Sequence, residues 1–546
     1  MLNGGLQRRK VDLDFYLQRV FRKESFRPLQ RDVITAAVEG HDVFLQASTS
    51  FGKSLCFQLP AVLSHGDYLF FSSTVTVVVC PLLALMTDQV NALQDLGVAV
   101  STINSTTPLA ERRLIIDDLL SGHPRTRLLY VTPELCQTVA FRRTLQTMHS
   151  QGELIRIAID EAHCISEWGH DFRPAYKQLS WFRRHLNQPP VPISAFTATA
   201  TPRVRADIIN ILGLEPARLK LFNTPSARPN IHYEIRYLEN FAEDPLEIEN
   251  FQLNDLHSWL KSIQTRREAR LDAKDAALPP IFGIVYVPYR IIAEQLATAL
   301  TKVSDGSIRA VAYHAGLSPE DRNRVQTEWT ASRPLAADEG PHPSFYIIVA
   351  TNAFGMGIDN PHVRFVVHWT PPRSFEGLVQ ESGRAGRDGR AAASLIYYNT
   401  QERDRVLDRL YKDVQNAKIR AGIKGDKGNE NQDSSTKAVH NLQSHSARLQ
   451  SFKQVVRYCE TVTQCRHELI KDFFGDQELE MMGSQVAGRN VKGVTSSPCD
   501  FACDFCKYGT VELAKRKASM PPQSDPSAFM DCSLVQNTQR MFSDLH

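Results

Sequence analysis

The sequence predicts an α/β fold: two parallel-sheet domains in tandem, followed by a small helical subdomain that carries a cysteine cluster. Three observations predict it. From Arg27 to Gly213, short β-branched or apolar runs alternate with amphipathic stretches, the pattern of buried parallel strands covered by helices. A second series of the same kind runs from Ile281 to Tyr398. Beyond it, Phe452, Val455, Cys459, Val462, Leu469 and Phe473 recur at helical spacing, and cysteines gather between Cys499 and Cys506. A chain of 546 residues, 42% hydrophobic and 23% charged, has apolar material for more than one core.

In chain order, the first series predicts strands at Asp42–Leu45, Thr76–Cys80, Leu128–Thr132, Ile155–Asp160 and Pro192–Phe196. Amphipathic stretches such as Leu83–Leu96 and Leu109–Leu120 separate them. The second predicts strands at Ile281–Val287, Ile308–Tyr313, Phe345–Ala350, Phe365–His368 and Ala393–Tyr398. This divides the chain into a first domain over 1–215 and a second over 216–412, the latter with a polar, partly helical insertion at about 239–280. A linker follows over 413–450, then the cysteine-bearing subdomain over 451–510 and a tail over 511–546. Linker and tail are expected to be disordered. Ile419–Thr436 is rich in Gly, Lys, Asn, Asp, Gln and Ser, and the tail holds Pro521, Pro522 and Pro526.

Some classes are excluded at once. The longest strongly apolar stretch, Val75 to Met86, is too short to span a bilayer and contains Pro81. No membrane partner is expected. The N-terminal residues lack the apolar run of a signal peptide, so a cytosolic or nuclear chain with reduced or metal-bound cysteines is expected. Sixty-three Lys+Arg against sixty Asp+Glu leave a net charge of +3, which neither demands nor excludes a nucleic-acid partner.

Ala47-Ser-Thr-Ser-Phe-Gly-Lys-Ser54 has the spacing of a phosphate-binding loop, with Ala47 where the pattern has Gly. It follows a predicted strand and opens a helix. The backbone from Ser48 through Thr49, Ser50, Phe51 and Gly52 would cradle phosphates at the helix N-terminus. Lys53 would neutralise the β/γ-phosphates of a nucleotide, and the Ser54 hydroxyl would bind Mg²⁺. Asp160-Glu-Ala-His163 ends the apolar run Ile155–Ile159, at the strand edge where open parallel sheets bind ligands. Asp160 would hold Mg²⁺ through its water shell, and Glu161 would orient the attacking water. Together these two segments read as an NTPase.

Asp160-Glu-Ala-His163 after a phosphate loop resembles superfamily 2 helicases. The continuation Cys164-Ile-Ser-Glu-Trp-Gly-His-Asp-Phe-Arg-Pro174 resembles the aromatic-rich loop of the RecQ family of DNA helicases. Other segments match in the family's order, from Phe26 to Cys506. Phe26-Arg-Pro-Leu-Gln30 resembles the segment that reads adenine, with Gln30 on the base edge and Arg27 stacked on the ring. Phe21-Arg-Lys23 departs from the family's Phe-Gly-aromatic, which leaves Lys23 without a ring to stack. Ser194-Ala-Phe-Thr-Ala-Thr-Ala200 resembles the motif that couples hydrolysis to domain movement. Cys80-Pro-Leu82 and Val131-Thr-Pro-Glu134 resemble segments that grip single-stranded backbone.

In the second domain, Tyr313-His-Ala-Gly316, Ala350-Thr-Asn-Ala-Phe-Gly-Met-Gly-Ile-Asp359 and Gln380-Glu-Ser-Gly-Arg-Ala-Gly-Arg-Asp-Gly389 resemble the later helicase motifs. The last puts Arg384 and Arg387 three apart, on one face if that stretch is helical. The resemblance implies that Arg387 acts as an arginine finger, with Arg384 in support. Trp168, His170, Phe172 and Arg173 belong to the aromatic-rich loop, whose rings would stack on unpaired bases.

Cys465, Cys499, Cys503 and Cys506 supply four thiolates, the number tetrahedral Zn²⁺ requires. Tyr458-Cys-Glu-Thr-Val-Thr-Gln-Cys-Arg-His467 and Phe473-Phe-Gly475 resemble the start of the RecQ zinc-binding subdomain, with Cys465 as the ligand. Cys459 falls on the apolar stripe and reads as core. Cys56, Cys80, Cys136, Cys164 and Cys532 read as small core or loop residues.

The resemblance implies two RecA-like domains with ATP between them, then a zinc-binding helical subdomain. It implies 3′ to 5′ movement on single-stranded DNA and unwinding of tailed duplex DNA, in repair and recombination. The chain ends about forty residues after Cys506. That leaves no room for the winged helix with which the family commonly continues, so the expectation is a short form, a truncated gene model or a chain that unwinds poorly. Two other readings stay open: a DNA-binding or strand-annealing protein whose motor unwinds poorly, and an RNA helicase. The aromatic-rich loop and the cysteines favour DNA. Arg8-Arg-Lys10 and Lys515-Arg-Lys517 read either as nuclear signals or as solvated charge; the expected location is the nucleus.

Overall fold

The computed structural model describes residues 12–48, 51–63, 74–168, 172–238, 245–269, 279–330, 343–355, 360–425, 432–477 and 503–518; of 245–247, 422–425 and 432–440 it describes the backbone alone. The chain forms two compact units, Met1–Ser226 with Lys471–Gly493 and Ala227–Ile470 with Val494–His546.

The first unit is built on seven strands: β1 (Asp42–Gln46), β2 (Val75–Val79), β3 (Val100–Ile103), β4 (Leu128–Val131), β5 (Leu154–Ile159), β6 (Ile193–Thr197) and β7 (Leu219–Asn223). Their order is β3-β4-β2-β5-β6-β1-β7, with every pair parallel. β1, β2, β4 and β6 are buried at every position. Alternate residues feed two cores, one on each face. Val77, Val79 and Leu129 enter one, and Val78, Leu128 and Tyr130 the other. The charged residue inside β5 has its own partners. Arg156 is buried and donates to Ser194 Oγ (2.8 Å), His41 O (3.1 Å) and Ala37 O. It thereby ties the C-terminal end of the helix Gln30–Val38 to the sheet.

The second unit has six strands: β8 (Ile231–Tyr237), β9 (Ile281–Tyr286), β10 (Ile308–Tyr313), β11 (Phe345–Ala350), β12 (Val363–His368) and β13 (Ala392–Tyr398). Their order is β10-β11-β9-β12-β13-β8, again all parallel. The fold class read from the sequence is the one observed. All ten strands predicted above are present, with ends shifted by two residues at most. The three it missed, β3, β7 and β8, are all edge strands. An edge strand has less of its surface covered, so it alternates polar and apolar residues, as Ile-His-Tyr-Glu-Ile-Arg-Tyr does in β8.

The stretch at 239–280, expected to be partly helical, carries the helix Pro245–Glu268, whose Leu256 and Leu260 are buried in the second unit's core. Two expectations are corrected. The expected linker over 413–450 is helical in most of its length, in Thr400–Gly425 and Gln432–Glu460. These two helices pack on each other. The polar run Ile419–Thr436 covers their adjoining ends, while Val414, Ala417, Leu449 and Phe452 supply buried positions outside it. The tail begins in a helix, Asp504–Ala518, with Leu513 buried; Pro521, Pro522 and Pro526 lie outside the described residues.

Gly283 in β9 is required by packing. A Cβ there would overlap the Phe365 ring, which meets Trp259 edge-on at 5.5 Å between centroids. Gly283→Ala is expected to destabilise the second unit by roughly 1–3 kcal/mol through overpacking. Urea unfolding checks this: an unchanged midpoint would mean the ring moves aside freely.

Candidate functional site

At the carboxyl edge of the first sheet, β1 ends at Gln46 and the next helix begins at Leu55. The loop between them folds on itself. Lys53, buried, donates to Ala47 O (3.1 Å) and Ser48 O (3.4 Å), and Phe51 N donates to Ser48 O (3.0 Å). Gly52 has φ +80°, and a Cβ there would come within 2.8 Å of Gln30 Nε2. Both the conformation and the space call for glycine. Gln30 is buried, donates to Phe51 O (2.8 Å) and Gly52 O (3.3 Å), and accepts from Arg27 N (2.9 Å). It therefore braces the phosphate loop, a role the sequence reading did not include. Arg27 is exposed and Ser54 half-buried. Thr49 and Ser50 lie outside the described residues.

Asp160 follows β5 directly and is buried. Its Oδ1 accepts from Glu161 N (3.0 Å), its Oδ2 from Gln89 Nε2 (3.4 Å), and its carbonyl from Tyr176 Oη (3.0 Å). Burial, then the charge of Glu161, pushes the Asp160 carboxyl above the usual carboxylate range, while Lys53 pulls it down. Glu161 sits at φ +48°, a left-handed conformation unusual for a side chain of its size. His163 Nδ1 lies 3.3 Å from Glu161 Oε2 and 3.1 Å from Thr197 Oγ1. Thr197 Oγ1 in turn accepts from Thr199 N (3.1 Å). The segments Asp160–His163 and Ser194–Ala200, far apart in sequence, thus share one hydrogen-bonded cluster.

The aromatic-rich loop leaves from the same edge. Trp168 is half-buried against the core, with the Arg203 guanidinium 3.3 Å from its ring centroid. Phe172 faces Lys177 Nζ at 5.5 Å. Arg173 donates to Pro81 O at 2.6 Å, so it holds the Cys80-Pro-Leu82 turn. His170 lies outside the described residues.

In the second unit, the helix Phe375–Ser382 ends before Arg384. Arg384 and Arg387 therefore lie in turns and do not share a helix face. Arg384 is buried and its positive charge lies against Tyr286; Arg387 is half-buried. Gly386 between them has φ +59°, and a Cβ would meet Asn230 Nδ2 at 2.5 Å. Its carbonyl accepts from Arg228 Nη2 (2.6 Å) and Asn230 Nδ2 (2.9 Å). These two buried residues fix the turn, and nothing in the sequence had singled them out.

Cys465, Cys503 and Cys506 converge, their sulfurs all within 4.8 Å of one another. Cys499 lies outside the described residues. Cys459 is fully buried in the core, as its place on the apolar stripe implied. The residue after each buried ligand completes a second device. Arg466 and Asp504, both fully buried, form a two-pronged ion pair at 2.7 and 3.0 Å. Arg466 also donates to Thr461 O (2.8 Å) and Tyr458 O, and Asp504 accepts from Ile235 N of β8 (3.1 Å).

Residues 27–208 match the DEAD/DEAH box helicase family, and 282–389 match the helicase conserved C-terminal domain. Residues 411–507 match the RecQ zinc-binding family. The chain is 38% identical over 462 residues to "ATP-dependent DNA helicase Q5" of Rattus norvegicus, covering 84% of this chain and 42% of that protein. It is 33% identical over 461 residues to "ATP-dependent DNA helicase Q1" of the same species, covering 84% and 62%. The chain belongs to the RecQ family.

It spans less than two thirds of either relative. Among solved structures, the ssRNA-bound DEAD-box helicase Mss116 aligns with a TM-score of 0.52 at 15% identity, covering 88% of this chain and 96% of that one. Mycobacterium smegmatis helicase Lhr aligns with a TM-score of 0.50 at 19% identity, covering 81% and 56%. At these identities the likeness is one of fold.

The RecQ zinc site fits its metal. Zn–S bonds of about 2.3 Å in a tetrahedron set the sulfurs about 3.8 Å apart, and Cys465 Sγ and Cys503 Sγ are 3.7 Å apart. Without a cation such a cluster resists ionisation: Cys465 beside it, then burial, pushes the Cys503 thiol up to about 11. The magnesium side fits as well, since a buried carboxyl beside a second acid is stabilised in its ionised form by a divalent cation. Ser54 and Asp160 would hold that ion.

Two outcomes are expected here. Cys503→Ser should lose zinc by metal analysis while Cys459→Ser keeps it; equal content in both would refute the ligand set. Asp504→Asn strands a buried guanidinium, at a cost of roughly 3–5 kcal/mol, read as a lowered unfolding midpoint. An unshifted midpoint would mean Arg466 is solvated after all.

Proposed function

We propose that the chain is an ATP-dependent DNA helicase. In this reading it couples ATP hydrolysis to 3′ to 5′ movement on single-stranded DNA and to unwinding of tailed duplexes, in nuclear repair and recombination. The observation that carries it is the cluster at one sheet edge: Lys53 in its glycine-bearing loop, the buried Asp160–Glu161 pair, and His163 bonded to Thr197. The relatives' names, which state ATP-dependent DNA helicases, support the same activity.

Each residue has a task in this reading. Lys53 exchanges the carbonyls of Ala47 and Ser48 for phosphate oxygens, because a charge-assisted bond to an anion is about twice as strong as one to a neutral acceptor. Asp160 and Ser54 hold hydrated Mg²⁺, which screens phosphate charge. Glu161, buried and held in its left-handed conformation, orients the attacking water. Arg27 meets the adenine, while Gln30, its amide engaged by Phe51 O, Gly52 O and Arg27 N, holds the loop beside it. Arg387, with Arg384, stabilises charge on the transferring phosphoryl group. Trp168, His170, Phe172 and Arg173 meet unpaired DNA, with aromatic stacking contributing roughly 1–3 kcal/mol per base. Nuclear residence rests on Arg8-Arg-Lys10. The cluster at 515–517 supports it less, since Arg516 pairs with Glu512 and Lys517 donates to Glu460 O.

The test is ATP hydrolysis by the purified chain alone, with single-stranded DNA and with single-stranded RNA. Strong stimulation by DNA is expected, with loss of turnover in Lys53→Ala and retained strand binding. Stimulation by RNA alone would point to an RNA helicase. Turnover that persists in Lys53→Ala would overturn the phosphate-loop assignment, and hydrolysis without strand displacement on a 3′-tailed duplex would favour an annealing protein.

A further inference from the structure

Behind Asp160 runs a line of side chains that the reading above leaves unassigned. Gln58 lies four residues after Ser54, hence on the same face of the helix Leu55–Val62. Its Nε2 donates to Tyr130 Oη at 3.0 Å. Tyr130, fully buried on β4, donates to Gln89 Oε1 at 2.8 Å. Gln89 Nε2 donates to Asp160 Oδ2 at 3.4 Å. The direction of this line follows from its end: an ionised carboxylate only accepts, so the Gln89 amide must turn its N–H₂ to Asp160 and its oxygen to Tyr130. Reversing the amide would set oxygen against oxygen at Asp160. Gln58 opposes that too, since its Nε2 also donates to Gln89 Oε1 (3.4 Å) and a reversed amide would set donor against donor.

Gln89 also has a mechanical position. It closes the second turn of the helix Leu83–Asp95, which opens immediately after Cys80-Pro81-Leu82. That turn is held from the other side by Arg173 of the aromatic-rich loop, through Pro81 O at 2.6 Å. A shift of the turn therefore moves the helix, and with it the donor on Asp160.

We propose that Gln89 is a positioning residue for the metal-side carboxylate. Locked in one orientation by Tyr130 and Gln58, it fixes the Asp160 carboxylate for the hydrated ion and transmits to it the setting of the strand-gripping turn. This rests on the ATP site proposed above. Donors to metal-ligating carboxylates set ligand orientation and affinity, which a packing role would not.

The experiment uses the full chain and a fluorescent, non-hydrolysable ATP analogue, whose binding is titrated with Mg²⁺. Gln89→Leu is expected to raise the Mg²⁺ concentration at half-saturation by about tenfold or more, while binding without Mg²⁺ stays unchanged. Tyr130→Phe, which loses only the hydroxyl, should shift the titration in the same direction by less. It decides the matter if Gln89→Leu folds poorly. Mg²⁺ titrations like wild type in both variants would overturn the proposal and leave the ATP site standing. A wild-type chain that binds the analogue without regard to Mg²⁺ would overturn the ATP site and this proposal with it.

Discussion

A parallel sheet covered on both faces leaves only its strand ends for chemistry, and the rest of this molecule depends on that constraint. With β1, β2, β4 and β6 buried at every position, no side chain in the middle of the first sheet can reach a ligand. The residues that follow β1, β5 and β6 can: Ala47 to Ser54, Asp160 to His163, and Ala198 to Ala200. The strand order β2-β5-β6-β1 sets these exits beside one another. Because all strands run the same way, helix N-termini and backbone N–H groups also gather at that edge. Sheet topology thus brings the positive segment that holds Lys53 and the negative pair Asp160–Glu161, more than 100 residues apart in sequence, to one edge.

How much of this could be read in advance follows from where each residue's constraint comes from. Gly52, Lys53 and Asp160 were legible because local geometry and chemistry demand those residue types at those spacings, whereas the loop from Cys164 to Pro174 was singled out by its resemblance to a family. The core strands were legible because burial on both faces forces continuous apolar runs. β3, β7 and β8 were not, since an edge strand lacks that pressure. The helices Thr400–Gly425 and Gln432–Glu460 hid behind a polar run at their adjoining ends, which composition alone reads as disorder. Arg384 and Arg387 were found, but their geometry was not: Gly386, in its left-handed conformation, breaks the helical face that a three-residue spacing suggests. Gln89, Tyr130, Arg228 and Asn230 act through long-range contacts, and no local pattern marks such residues.

The zinc-binding segment solves a different problem. β8 is an exposed edge in topology, with unpaired backbone groups on one side. Asp504 accepts the Ile235 N–H and holds Arg466 in the same carboxylate, so the edge is closed by a side chain and the helix that begins at Asp504. A buried ion pair gains little net stability by itself. Here its value is geometric, because each partner adjoins a cysteine ligand. A metal held by the cysteines would act on the same two backbone points as the ion pair, Cys465–Arg466 and Cys503–Asp504.

The cysteine cluster and the Asp160 edge ask opposite things of the fold. At the cysteines, neighbouring groups are fully engaged, as a structural site requires. At Asp160 the fold holds a carboxyl above its ordinary range by burial and by the adjacent Glu161, and it holds Glu161 itself in a strained backbone region. A carboxyl raised in the folded state weakens folding as pH rises through its titration, so at neutral pH ionised Asp160 is a local cost to the first unit. A divalent cation held beside Asp160 would remove that cost. The fold keeps this strain confined to one sheet edge, where the fully buried strands beneath can carry it.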